Sequence, residues 1–87
     1  MENELMTDPL SYDYDPEANA LYIHLADKPY AYGHDLDHER RIDYGPDGTP
    51  IGVELTCVGS GVHLADLPAA TQIAAILQRL RLPVLAS

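Results

Sequence analysis

Phenylalanine and tryptophan are absent from this chain of 87 residues, and Cys57 is its one cysteine. A single thiol excludes an intramolecular disulfide and a multi-cysteine zinc site within one chain, and it fits a reducing cytoplasm. Basic residues are scarce: five Lys and Arg stand against 14 Asp and Glu, a net charge of -9. A field of that sign repels nucleic-acid phosphate and anionic lipid. No apolar run reaches the length of a membrane span, and the opening MENELMTDP lacks the positive n-region of a signal peptide. The expectation is a soluble cytoplasmic protein with no nucleic-acid and no membrane partner. Neither a P-loop nor a G-x-G-x-x-G occurs, and Ser60 lies directly between Gly59 and Gly61, without the spacing of a nucleophile elbow. No catalytic residue and no cofactor are assigned, and a non-enzymatic role is favoured.

What the chain does contain is unevenly placed. Twelve of the 14 acids and all six tyrosines fall within residues 1–48, while the remainder is neutral. Tyr12, Tyr14, Tyr22, Tyr30 and Tyr32 are candidates for an aromatic interaction surface with polar tips, a composition enriched at protein interfaces. Its acidic surroundings favour a small basic protein partner.

Periodicity sets the architecture. Residues 1–9 read as a flexible tail ending in Asp8-Pro9. Leu10, Tyr12 and Tyr14 alternate with Ser11 and Asp13, and Leu21, Ile23 and Leu25 alternate with Tyr22 and His24, the period of two that marks strands. Between them, Pro16 fixes φ early in a turn and Asn19 tolerates the left-handed conformation late in it. Residues 30–38 alternate weakly and predict an irregular edge segment. RRIDY (40–44) and 49–57 form a second strand pair about Gly45-Pro46-Asp47-Gly48, whose Asp-Gly supplies the positive φ of a hairpin turn. Cys57 continues the inward alternation of Ile51, Val53 and Leu55, which places it in the core. Gly59-Ser60-Gly61 predicts a flexible break. Ala70, Ile73, Ala74, Ile76, Leu77 and Leu80 then share one helical face, with Asp66 or Leu67 at the N-cap and Pro83 as the stop. The predicted fold is α+β over residues 10–87: a four-stranded antiparallel β-meander (about 10–57) packed against one C-terminal helix (about 68–82). Val84 and Leu85 remain as an apolar tail, which in so small a domain predicts a homodimer.

Three groupings could hold a cation. Asp13, Asp15 and Glu17 open like a calcium loop, but Ala18 and His24 stand where the turn glycine and bidentate glutamate belong. Asp43, Asp47, Gly48 and Glu54 fit D-x-[DN]-x-[DN]-G-x₅-E except at Gly45, which offers no side-chain ligand, and both flanks read as strands rather than helices. His34 and His38 could share one ion only if helical, whereas the pattern is extended. A hairpin turn and a solvated edge explain these residues without metal. Cation binding through Asp43, Asp47 and Glu54, or through His34 and His38, stands as the alternative function.

The segments YDYDPEANALYIHL and IDYGPDGTPIGVEL resemble the two signature stretches of the bacterial domain-of-unknown-function family 2283. Tyr14, Asp15, Leu21, Tyr22 and Ile23 match the first; Asp43, Tyr44, Asp47, Gly48, Gly52, Glu54 and Leu55 match or nearly match the second. Asn19 and Gly45 replace acids usual in the family. The resemblance implies a compact β-meander and no established activity. Because some members are encoded beside small toxin-like proteins, it also implies an antitoxin-like, partner-binding role.

Overall fold

The computed structural model describes residues 10–85, so the tail predicted over residues 1–9 lies outside the described residues. The fold is α+β, with strands β1 (Tyr12–Asp15), β2 (Ala20–His24), β3 (Tyr32–Asp35), β4 (Arg40–Tyr44) and β5 (Pro50–Thr56) in one antiparallel sheet. A 3-10 turn (Val58–Ser60), β6 (Val62–His63), helix α1 (Ala70–Arg79) and β7 (Val84–Leu85) follow. Among the described residues no helix is long and apolar enough to cross a membrane.

The sheet has five strands where four were expected, and its spatial order is β1-β2-β5-β4-β3 rather than sequential. Burial explains both differences. β5 carries the most apolar alternation, with Ile51, Val53 and Leu55 buried, and takes the centre between β2 and β4. The polar segment YGHD, exposed at three of its four positions, pairs only with β4 and forms the far edge.

The β1–β2 and β4–β5 turns use the chemistry expected of their residues. The Asp15 carboxylate accepts the Glu17 and Ala18 N–H groups, and Asn19 adopts φ 57°. Gly48 has φ 82°, and its N–H donates to the Gly45 carbonyl at 3.0 Å. Asn19 also binds the chain beyond the sheet. Its carbonyl accepts from Val58 N–H and its side chain from Gly59 N–H at 2.8 Å.

Register sorts the side chains onto two faces. One face carries the rows Tyr14–Leu21–Leu55–Arg40 and Tyr12–Ile23–Val53–Ile42–His34. Leu21, Ile23, Val53 and Leu55 join Ile73, Ile76 and Leu77 of α1 in one buried cluster. Arg40 also points to this side, where its side chain is 13% exposed. It donates to the His63 and Ala65 carbonyls and to Asp37, so a single cation ties β4 to the segment that follows the sheet.

That segment is ordered where a flexible break was expected. Cys57 takes φ 54°, which ends the alternation, turns its side chain to solvent and delivers Val58 to the core in its place. Gly61 has φ 108°, and a Cβ there would collide with Leu85. β6 and β7 pair in parallel, Val62 with Val84 and His63 with Leu85, so the segment read as an apolar tail is a strand. The helix is shorter than expected at both ends. Its N-cap is Ala69, in the left-handed region and without a side-chain cap, because Leu67 is drawn into the core. At the other end Arg81 N–H donates to Gln78 and Leu82 N–H to Leu77, a Schellman motif with arginine at the left-handed position usually held by glycine.

Candidate functional site

No helix or strand of the described residues covers the second face of the sheet. Its rows are Asp13–Tyr22–Glu54–Arg41–Asp35 and His24–Gly52–Asp43–Gly33. A polar network crosses these strands. His24 Nε2 lies 2.8 Å from Asp13 Oδ2, and the His24 ring meets the Tyr22 ring edge-on with centroids 4.9 Å apart. Tyr22 donates its hydroxyl to Asp43 at 2.9 Å. The other Asp43 oxygen lies 3.4 Å from Arg41 Nε, and Arg41 continues to Asp35 at 2.8 Å and to the Tyr30 hydroxyl at 3.3 Å.

Two glycines make this arrangement fit. The Tyr22 ring lies across Gly52 and the Arg41 guanidinium across Gly33, and a Cβ at either glycine would occupy the space of the group above it. Neither glycine was expected to shape a site. The available signal was the glycine itself, since glycine inside a strand marks a close approach.

Local fields hold the protons of this network in place. Burial, the Asp43 hydrogen bond and the negative charges of Asp43 and Glu54 push the Tyr22 hydroxyl up to about 12. The hydrogen bond to Tyr30, followed by that to Asp35, holds the Arg41 proton still more tightly than in free arginine. Tyr22 and Arg41 are therefore fixed donors near neutral pH rather than groups poised for proton transfer. Beside them an open depression of about 570 Å³ is lined by Asp35, Asp37, His38, Glu39 and Glu54. The Glu39 N–H, then Arg40, lowers the pKa of Asp37.

The residues singled out from sequence are dispersed. Of the five tyrosines proposed as one surface, Tyr12 and Tyr14 are half-buried against the core, and Tyr22 lies on the open face. Tyr30 bonds Arg41 of that open face, whereas Tyr32 stacks on Tyr44 with centroids 5.1 Å apart at the β3 edge. Asp43 and Glu54 share the open face as diagonal neighbours, but Asp43 already serves Tyr22 and Arg41. Asp47 sits in the β4–β5 turn, where the Thr49 N–H and then Lys28 hold its carboxyl down to about 2. His34 pairs with Ile42 in β3, and His38 lies exposed in the bend after it. Among the described residues no three His, Cys, Asp or Glu side chains are grouped to hold a metal ion.

No curated protein and no solved structure matches the chain. One family model does, described as a protein of unknown function (DUF2283), and its match runs over residues 11–57. Those residues contain the whole five-stranded sheet, its three hairpin connections and both glycines beneath the polar network. With more than half of its length matched, the chain belongs to the DUF2283 family.

Proposed function

We propose that the protein is a non-enzymatic interaction module whose open, acidic sheet face receives a basic protein partner. The observation that carries this reading is the uncovered face itself. Asp13, Asp35, Asp43 and Glu54 stand there in register around Tyr22, hydrogen-bonded to Asp43, and Arg41, hydrogen-bonded to Asp35. Side chains already fixed in place lose little rotamer entropy when a partner arrives. An antitoxin-like role, in which the partner is a small basic protein, is in keeping with that surface. Val84 and Leu85 stay exposed on β7 and offer a separate contact for a second copy of the chain.

The test compares the wild type with two variants of shifted charge. Binding of an arginine-rich peptide is measured at low and high salt for the wild type, for an Asp35→Lys/Glu54→Lys double variant and for Asp66→Lys, whose acid lies outside the sheet. The expected result is salt-sensitive binding that the double variant abolishes and Asp66→Lys barely weakens. Equal loss per charge in both variants would mean that only net charge matters, and would overturn the reading.

A further inference from the structure

We infer that the basic partner docks by adding a strand to the exposed edge of β1, with basic and apolar residues alternating along that strand; this rests on the interaction reading above.

Among the described residues nothing pairs with the backbone of β1 on the side away from β2. His24 donates its N–H to the Ser11 carbonyl at 2.9 Å, which makes Ser11 and His24 a hydrogen-bonded pair. Pair types alternate along an antiparallel ladder. The N–H and C=O groups of Tyr12 and Tyr14, opposite Ile23 and Leu21, therefore point out of the sheet. Among the described residues no strand pairs with them. Such an edge is a template for an incoming strand, with main-chain bonds supplying affinity and alternate side chains supplying specificity.

The side chains at this edge state what the incoming strand must carry. On the open face the row ends at Asp13, whose carboxylate is 81% exposed although one oxygen meets His24. On the helix-covered face the rows end at Tyr12 and Tyr14, both packed on the core and only half-buried. A lysine or arginine opposite Asp13 extends the open-face row, and an apolar neighbour on either side of it covers the tyrosine rings. The opposite edge lacks this pairing of demands. There the corresponding rows end at Asp35, already bonded by Arg41, and at the exposed His34.

A second copy of the chain is a poor occupant. Antiparallel pairing of β1 with itself through Tyr12 and Tyr14 sets Asp13 opposite Asp13, and like charges directly opposite destabilise a strand pair.

The probe is a short peptide alternating lysine and valine, with amide hydrogen exchange read at Tyr12 and Tyr14. Exchange at these two amides is expected to slow about tenfold or more on binding. N-methylation of the peptide along its pairing edge should abolish the protection, and Asp13→Lys should transfer preference to a glutamate–valine peptide. Peptide-induced shifts at Asp35 and Glu54 with unchanged exchange at Tyr12 and Tyr14 would overturn strand addition and leave the open-face reading intact. Protection that appears without peptide and grows with protein concentration would place a second copy on the edge and overturn the proposal. Absence of any binding would overturn both.

Discussion

The two faces of β5 are made from adjacent residues and have opposite duties. Ile51, Val53 and Leu55 are buried, the last two in one cluster with α1; Gly52 and Glu54 alternate with them on the other face, one beneath a tyrosine ring and the other in solvent. Stability is concentrated on the first face, because apolar area removed from water is what folds a chain of this size. The second face is built around hydrogen bonds between partly exposed groups, each of which contributes little to stability but fixes where a side chain points. Residues one position apart can therefore be changed with different consequences.

The sharpest way to break this comparison is Leu55→Ala. Leu55 is 1% exposed in the centre of the sheet, and the truncation is expected to cost about 2–5 kcal/mol in denaturant unfolding. Gly52→Ala should come next, at about 1–2 kcal/mol, because the new methyl lifts Tyr22 off the sheet and breaks its bond to Asp43. A loss as large as that of Leu55→Ala would show that the open face bears on the core after all. Tyr22→Phe keeps the ring and removes only the hydroxyl, for about 1 kcal/mol near neutral pH.

The same variant sharpens the comparison through pH. Burial and the bond to Asp43 push the Tyr22 hydroxyl from the ordinary tyrosine value of 10.0, which it keeps in the unfolded chain, up to about 12. Its contribution is thus fully present below pH 10 and is lost as pH rises toward 12, since the native state then holds a proton that the unfolded state has released. The stability difference between wild type and Tyr22→Phe should be flat up to the lower value and shrink above it. The phenolate absorbance component that disappears in the variant should have its midpoint near the upper value. The smallest effect belongs to neither face: Arg81→Gly, which relieves the left-handed position of the Schellman motif, should stabilise the protein by about 0.5–1 kcal/mol in thermal unfolding.

Legibility followed the range of the interactions involved. Turns built from Asp15, Pro16, Asn19 and Gly48 were readable because their chemistry is local, and so were the alternations that became β1, β2, β4 and β5. Strand order was not readable, since it depends on which strand wins the centre of the sheet. The segment after Cys57 was misread for another reason. Cys57, Asp66, Ala69 and Arg81 all adopt positive φ without being glycine, so tertiary packing, and not residue type, dictates those bends. At the site, Asp13, Asp43, Glu54 and Tyr22 were visible as candidates, but Asp35 and the network joining them were not. It is assembled from four strands and depends on what Gly33 and Gly52 leave out.

Arg40 and Asn19 bear on how the protein could be divided. Both belong to the family-matched region, yet Arg40 holds the carbonyls of His63 and Ala65, and Asn19 holds the N–H groups of Val58 and Gly59. A fragment cut after Cys57 would keep every strand of the main sheet and lose what those two residues grip, together with the α1 residues that roof Leu21, Ile23, Val53 and Leu55. The boundary drawn by family likeness at Cys57 is no seam in the molecule, and transplanting the sheet into another protein would require carrying its C-terminal cover along with it.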